Sequence, residues 1–221
     1  MPVNLGDVTT ERADHANTTV WVADVLRGSI AAGELLPGTK LSEQQLAASL
    51  QVSRNTLREA FTMLSIEGAV TRYPNRGVFV AAPGAEAVRE IYRVRRMLEP
   101  SAVLWGPELD LARLDAVIAD AREAKARGAV TEMAAANQAF HEAIVAMSGS
   151  VQLQQVMGRV LAEMRLVFHA MSSQPDFHST YVEQNARLVE LLRQGKRAKA
   201  TKVMQAYLDA AEAELLAHLG S

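Results

Sequence analysis

Apolar residues recur at helical spacing in two short segments between residues 41 and 66, and a serine in a typical N-cap position precedes each segment. The caps are Ser42 and Ser53, and the apolar positions are Leu46 and Leu50 in the first segment and Leu57, Phe61 and Leu64 in the second. Arg54, Asn55 and Arg58 lie off the second stripe. A short helix, a tight turn and a second helix with polar donors near its start predict a helix-turn-helix, whose second helix enters a DNA major groove.

The pattern on either side of these helices predicts the rest of an N-terminal domain over residues 18–82. Residues 18–32 are predicted to form a helix with Val22, Val25, Leu26 and Ile30 on one face. Residues 69–73 and 77–80 read as two strands joined by a turn at 74–76, and a hairpin after a helix-turn-helix predicts a wing. Residues 1–17 are expected to form a flexible tail.

The remainder of the chain, residues 83–221, has helical periodicity with short connections and few strand signals. The predicted helices are 85–105 (with a kink or break at Pro100), 111–127, 131–147, 151–171, 181–193 and 197–219, with a loop at 172–177. The predicted fold class is therefore mainly α: an N-terminal winged helix-turn-helix followed by an antiparallel all-α helical bundle.

Composition narrows the classes of protein that remain. The chain has 221 residues, is 49% hydrophobic and contains no cysteine, which excludes disulfides and thiolate metal sites and fits a reducing cytoplasm. No apolar run is long enough to span a membrane, so we expect a cytoplasmic protein without a membrane partner. The net charge of −2 is unusual for a nucleic-acid binder, but residues 50–80 carry Arg54, Arg58, Arg72 and Arg76 against Glu59 and Glu67.

Polar residues interrupt the apolar faces of several predicted bundle helices. Arg95 falls within the arc of Ile91, Val94, Leu98, Ala102 and Trp105, where a guanidinium needs a partner. That partner is Glu99, one turn on, an anionic ligand, or both. His141 and Asn137, Asn185 and Tyr207 lie on apolar faces of three further helices, and together they predict a polar cavity inside the bundle. His169 and His178 are expected to be solvated.

Two sets of motifs place this pattern in a known family. Residues 30–80 carry I-x-x-G-x-L-x-P-G-x-x-L-S-E-x-x-L-A, V-S-R-x-T-L-R-E-A, E-G-x-V and R-G-V-F-V. This stretch resembles the winged helix-turn-helix of the GntR family of bacterial transcriptional regulators, and the resemblance implies a homodimer that binds a double-stranded operator. The DNA-contacting positions that it implies are Gln44, Ser53, Arg54, Asn55, Thr56, Arg58, Arg76 and Gly77.

Residues 85–220 resemble the all-helical effector-binding domain of the FadR subfamily, with R-x-x-L-E from Arg95, F-H-x-x-I from Phe140 and L-x-x-G-x-x-x-x-A from Leu192. Many such domains hold a divalent metal through one aspartate and three histidines. The matching positions here are Asn137, His141, Asn185 and Tyr207, so three of the four ligands are replaced by poorer metal donors. We therefore expect no tightly bound metal and no cofactor.

The same groups are good hydrogen-bonding partners for an organic molecule. The predicted effector is a small organic acid whose carboxylate binds Arg95 and whose ring stacks on Trp105. The other predicted contacts are Asn137, His141, Asn185 and Tyr207. Arg165 is a second candidate for binding an anion. The predicted function is a ligand-responsive regulator, most simply a repressor. The alternatives are a metal-dependent regulator with a degenerate site around His141, a constitutive regulator with a filled core, and an enzyme that uses His141 as a general base.

Overall fold

The structure, a computed structural model, describes residues 18–170 and 175–219. The chain divides into two compact units, Met1–Ala82 and Pro83–Ser221. No helix in the described ranges is both long enough and apolar enough to cross a membrane. The predicted tail at residues 1–17 lies outside the described residues.

The N-terminal unit contains a helix-turn-helix and a small sheet. Its elements are α1 Thr18–Ala31, β1 Lys40–Leu41, α2 Glu43–Ser49, α3 Arg54–Ile66, β2 Val70–Tyr73 and β3 Gly77–Val80. The sheet order is β1-β3-β2 and both pairs are antiparallel, with Lys40 opposite Phe79 and Val70 opposite Val80. β1 was not predicted from the sequence, because two residues are too few to show an alternating pattern.

Both serine caps form as predicted. Ser42 Oγ accepts from the backbone N–H of Gln45 at 3.4 Å, and Ser53 Oγ accepts from that of Thr56 at 3.0 Å. The apolar stripe of α3 packs against α1, and the side chains of Leu57, Phe61 and Leu64 are fully buried. Burial of one face of α3 leaves its opposite face in solvent.

The C-terminal unit consists, in its described part, of helices that share one large apolar core. They are α4 Ala85–Trp105, α5 Leu111–Ala126, α6 Val130–Ala146, α7 Val151–Ala170, α8 Pro175–Arg193 and α9 Arg197–Leu219. α4 lies along α9 and also contacts α6 and α7, and α6 contacts α4, α5, α7 and α8.

Two local predictions were wrong. α4 is not broken at Pro100 but continues through it as one helix, with Pro100 buried on the same helix as Glu99 and Ala102. α8 begins at Pro175 rather than Tyr181, since proline is favoured in the first turn of a helix. His178 is consequently a buried helical residue and not a solvated loop residue, whereas the side chain of His169 lies outside the described residues.

Candidate functional site

The solvent-facing side of α3 begins with three exposed polar side chains, Arg54, Asn55 and Arg58. Asn55 Nδ2 donates to Glu59 Oε1 at 3.0 Å, and Arg58 Nε donates to Glu43 Oε2 at 2.9 Å. The amide oxygen of Asn55 and the terminal nitrogens of Arg58 are not used in these two bonds, so they can bind a partner outside the domain. The start of α3 therefore presents an amide and two guanidiniums to solvent.

The wing is tied to the same helix. Arg72 Nη2 on β2 donates to the backbone carbonyl of Arg58 at 2.7 Å and to Thr62 Oγ1 at 2.9 Å. At the wing tip Asn75 and Gly77 adopt positive φ values of 60° and 103°, which gives the tight turn between β2 and β3. These contacts fix the hairpin relative to α3.

The guanidinium of Arg76 lies over two rings of the wing, 5.4 Å from the centroid of Tyr73 and 5.9 Å from that of Phe79. Arg76 and Gly77 are both exposed, as is Gln44 on α2. A stacked guanidinium keeps its N–H edges available for phosphate oxygens. The wing tip is thus a second exposed basic element of the N-terminal unit.

Two of the predicted DNA-contacting residues also have a structural task. Ser53 Oγ caps α3 and lies 2.8 Å from Thr56 Oγ1. Thr56 is half-buried, whereas Arg54, Asn55 and Arg58 are exposed. The capping bond orients the first turn of α3, from which the exposed donors project.

A continuous chain of buried polar side chains crosses the helical unit from α4 to α8. Arg95 Nε donates to Glu99 Oε1 at 2.5 Å, and His141 Nδ1 donates to Glu99 Oε2 at 2.7 Å. On the far side of the imidazole, His141 Nε2 lies 3.0 Å from the hydroxyl of Tyr207. Asn185 Nδ2 donates to Asn137 Oδ1 at 2.8 Å, and the Tyr207 hydroxyl lies 3.0 Å from the same oxygen, so its single proton is shared between Asn137 Oδ1 and His141 Nε2 as acceptors.

The charges in this chain are set by burial and by the ion pair. Burial raises the pKa of Glu99, but the charge and hydrogen bond of Arg95 together with the contact from His141 outweigh burial and lower that pKa to about 2. Burial lowers the pKa of His141 despite the neighbouring carboxylate, so the imidazole is neutral at pH 7. Burial also raises the pKa of Tyr207 well above its ordinary value, so this phenol stays protonated.

Three buried polar atoms in the helical unit have no hydrogen-bond partner in the described part of the chain: Arg95 Nη2, Asn185 Oδ1 and His178 Nε2. Buried polar atoms in proteins are nearly always paired, so each such atom needs an explanation. His178 and Asn185 are seven residues apart on one face of α8, about 10 Å along the helix axis. The rings of Phe177, Tyr181 and Tyr207 form successive edge contacts between these two positions.

Comparison with known proteins identifies both units. Residues 18–80 match the family of bacterial regulatory proteins named gntR, and residues 90–210, more than half of the chain, match the FCD domain. The chain belongs to the GntR family of transcriptional regulators, with a C-terminal FCD domain. The family resemblance and the predicted fold class are thereby confirmed.

Individual relatives of this GntR regulator cover different parts of it. The Nta operon transcriptional regulator of Aminobacter aminovorans is 32% identical over 132 residues, 58% of this chain and 63% of that protein. The gluconate operon transcriptional repressor of Bacillus subtilis is 40% identical over 84 residues, 38% of this chain and 34% of that protein. The chain therefore spans less than two thirds of the length of these relatives.

The crystal structure of a GntR regulator from Rhodococcus sp. RHA1 is similar over nearly the whole chain. It is 37% identical, covers 90% of this chain and 97% of its own, and superimposes with a TM-score of 0.86. Both the helix-turn-helix and the FCD domain of this chain thus have a counterpart in a solved relative.

The FCD domain brings five of the seven predicted effector residues into one cluster: Arg95, Asn137, His141, Asn185 and Tyr207. Trp105 contradicts the prediction, because it is 78% exposed at the last residue of α4. The buried face of α4 instead carries Tyr92, whose ring lies 4.8 Å from the Arg95 guanidinium. Arg165 lies apart from the cluster, with its Nε bonded to Gln138 Oε1 at 2.9 Å.

Sequence reasoning missed three features of this FCD domain. His178 was placed in a loop, and only Pro175 signalled that a helix begins before it. Tyr92, next to an arginine-rich stretch, was not assigned to the core. Glu99 was considered only as a partner of Arg95, although it also accepts from His141 on α6.

The donor set of the cluster does not fit a tightly held divalent metal. It offers one imidazole, two amides and a protonated phenol, and its carboxylate is already paired with Arg95. The Arg95 guanidinium also places a positive charge beside any cation at this point. Within residues 18–170 and 175–219 there is no group of three or more His, Cys, Asp or Glu side chains able to hold a metal ion.

Proposed function

We propose that this GntR-family protein is a repressor that binds a two-fold symmetric operator as a homodimer. A small organic acid bound in the helical unit changes its affinity for the operator. The observation that carries the DNA-binding part is the exposed start of α3, where Arg54, Asn55 and Arg58 face solvent. Arginine can bond guanine O6 and N7, and asparagine can bond adenine, in the major groove.

A second set of groups holds the DNA backbone. The exposed Arg54 and Gln44 and the half-buried Thr56 donate to phosphates on either side of α3, and the exposed Arg76–Gly77 tip of the wing lies along the adjacent groove. Ser53 contributes by capping α3. Repression is supported by the 40% identity to a gluconate operon repressor over 84 residues.

A second copy of this chain is the proposed occupant of an apolar face on α4 and α7. Leu98 of α4 packs beside Met157 and Leu161 of α7, so the two helices share one face. Beside that face large apolar side chains are exposed on both helices, namely Met97 and Trp105 on α4 and Leu153 and Val156 on α7. They expose roughly 500 Å², more than half of the ~800 Å² per partner that a standard interface buries. An interface here places Trp105 against the partner subunit.

Oligomeric state tests this interface directly. A Met97→Glu variant places a charge in the proposed contact, and sedimentation analysis is expected to show a monomer where the wild type is a dimer. Ile66→Glu is a matched control, since Ile66 is 82% exposed on α3, in the other unit. If Met97→Glu remains a dimer, the two copies meet elsewhere.

The proposed effector site is the buried polar cluster of the FCD domain. Arg95 Nη2 requires an acceptor and Asn185 Oδ1 requires a donor, and a ligand with a carboxylate and a hydroxyl or amine supplies both. Ring binding no longer rests on Trp105, because that residue lies at the surface. Phe168, Phe177 and Tyr181 instead supply ring faces beside His178. His141 orients Glu99 and Tyr207 in this proposal and has no catalytic role.

DNA recognition is tested with a duplex selected from a random library by the wild-type protein. Arg58→Ala is expected to abolish binding to that duplex while the dimer and its helical content remain. Arg89→Ala is a matched control, because Arg89 is an exposed arginine on α4 of the helical unit. Wild-type affinity in Arg58→Ala would refute the assignment of α3 as the recognition helix.

The effector site is tested by native mass spectrometry and metal analysis of the purified protein. A dimer with a discrete organic mass that disappears in Asn185→Leu supports the proposed site. A stoichiometric metal that disappears in His141→Ala would support the metal-dependent alternative instead.

A further inference from the structure

We infer that Glu43 is a specificity-determining residue that positions the guanidinium of Arg58 for one base pair in each half-site. Glu43 lies in the first turn of α2, and its Oε2 accepts from Arg58 Nε at 2.9 Å. The inference rests on the proposed contact between Arg58 and a base.

The hydrogen bond to Glu43 selects which edge of the guanidinium remains for DNA. It occupies Nε, so the two terminal nitrogens, Nη1 and Nη2, form the opposite edge. That edge has the spacing needed to donate to both O6 and N7 of guanine. A side chain held by Nε therefore enters the groove end-on, and Glu43 fixes the direction from which it does so.

The backbone of Arg58 is restrained as well. Arg72 Nη2 donates to the Arg58 carbonyl at 2.7 Å and ties this point of α3 to the wing. The long arginine side chain is 60% exposed, so without Glu43 it is free to sample many rotamers. Ordering such a side chain only on binding is expected to weaken specific affinity by about 2- to 12-fold.

The charge of Glu43 acts in the opposite direction on DNA of any sequence. A carboxylate on the helix-turn-helix surface repels phosphates, so its removal strengthens non-specific binding. Loss of positioning weakens binding to the specific site alone. The charge effect is common to both DNAs and cancels in the ratio of specific to non-specific affinity, so removing Glu43 lowers this ratio through the loss of positioning. A purely structural role would weaken binding to both DNAs, and a purely electrostatic role would strengthen both.

Two substitutions separate the charge from the hydrogen bond. Glu43→Gln removes the charge but keeps an acceptor of the same length, and Glu43→Ala removes both. The charge-matched control is Glu34→Gln, an exposed glutamate in the turn after α1. Dissociation constants are measured by fluorescence anisotropy for the library-selected duplex and for a scrambled duplex, at several salt concentrations.

We expect both Glu43 variants to bind scrambled DNA equally and more tightly than the wild type. The specificity ratio falls about 5-fold or more in Glu43→Ala and less in Glu43→Gln, and Glu34→Gln leaves it unchanged. In an Arg58→Lys background, adding Glu43→Ala leaves the ratio unchanged, because the end-on guanidinium is already gone.

Three outcomes overturn the inference: equal ratios in Glu43→Ala and wild type, equal ratios in Glu43→Gln and Glu43→Ala, or the same fall in the Arg58→Lys background. Each is distinct from failure of the proposed function, which is wild-type binding by Arg58→Ala. Far-ultraviolet circular dichroism of each variant shows whether α2 has unfolded. If α2 has unfolded in Glu43→Ala, the test relies on Glu43→Gln.

Discussion

The buried ion pair of α4 makes a quantitative prediction for the stability of the helical unit. Arg95 and Glu99 are 1% and 0% exposed in their side chains, and Glu99 also accepts from His141 Nδ1. In Glu99→Leu the guanidinium loses its counter-charge, and breaking such a buried pair costs about 3–5 kcal/mol. The imidazole N–H loses its acceptor in the same variant, which costs about 1–3 kcal/mol more.

The double variant Arg95→Met/Glu99→Leu separates these two costs. It has no unpaired guanidinium, so only the loss of about 1–3 kcal/mol at His141 remains. The double variant is therefore expected to be more stable than Glu99→Leu alone, although it carries one more substitution.

Hydrogen exchange on the full chain tests this prediction, because it reports the free energy of unfolding of each unit separately. The slowest amides of α4 and α6 report the free energy of unfolding of the helical unit. If Glu99→Leu lost less than about 1 kcal/mol, or if the double variant were no more stable than it, the cluster would not be the buried ion pair described above.

Acid supplies an independent check on the same pair. The pKa of Glu99 is about 2 in the folded protein and near 4.5 when unfolded, so the unfolded chain binds the proton more readily. The contribution of Glu99 is fully present above pH 4.5 and is lost, by about 3 kcal/mol, as the pH falls towards 2. Glu99→Leu is expected to lack this loss.

Three further predictions concern single residues. Burial lowers the pKa of His178 to about 4, so the unfolded chain binds the proton more readily than the folded one. The free energy of unfolding of the helical unit is expected to fall by about 3 kcal/mol between pH 6.5 and pH 4. His178→Phe should reduce this loss, measured by hydrogen exchange along an acid titration. A Cβ on Gly106 lies 2.5 Å from the Ala102 carbonyl oxygen and 2.6 Å from that of Met147, so Gly106→Ala is expected to destabilise the helical unit by about 1–3 kcal/mol in denaturant. Ser53→Ala removes the cap of α3 and is expected to speed exchange at the start of α3, at a cost of about 1 kcal/mol; unchanged exchange there would contradict the role of the cap.

The helix-turn-helix was predictable because its signals are local. Each serine cap, each one-turn apolar repeat and the glycine turns act within a few residues, and the structure has α2 and α3 between those signals. The wing was predictable for the same reason. β1 was not, because its two residues are defined by pairing with β3 rather than by their own pattern.

The buried cluster was predictable only in part. Helical spacing placed Arg95, Asn137 and His141 on apolar faces, but spacing within one helix does not show which helices meet. The contact between His141 and Glu99 joins residues 42 positions apart, so it depends on how α4 and α6 pack. Trp105 was misassigned because an apolar residue at the end of a helix can lie beyond the edge of the core.

Methylation protection of guanine N7 on the library-selected duplex tests the central claim most directly, because N7 lies in the major groove. The account predicts a two-fold symmetric site in which each half-site has a guanine that is protected by the wild type and exposed with Arg58→Ala. The two protected guanines are expected to lie about one helical turn apart. Protection that is identical in Arg58→Ala, or binding without any protected guanine, would contradict recognition by α3.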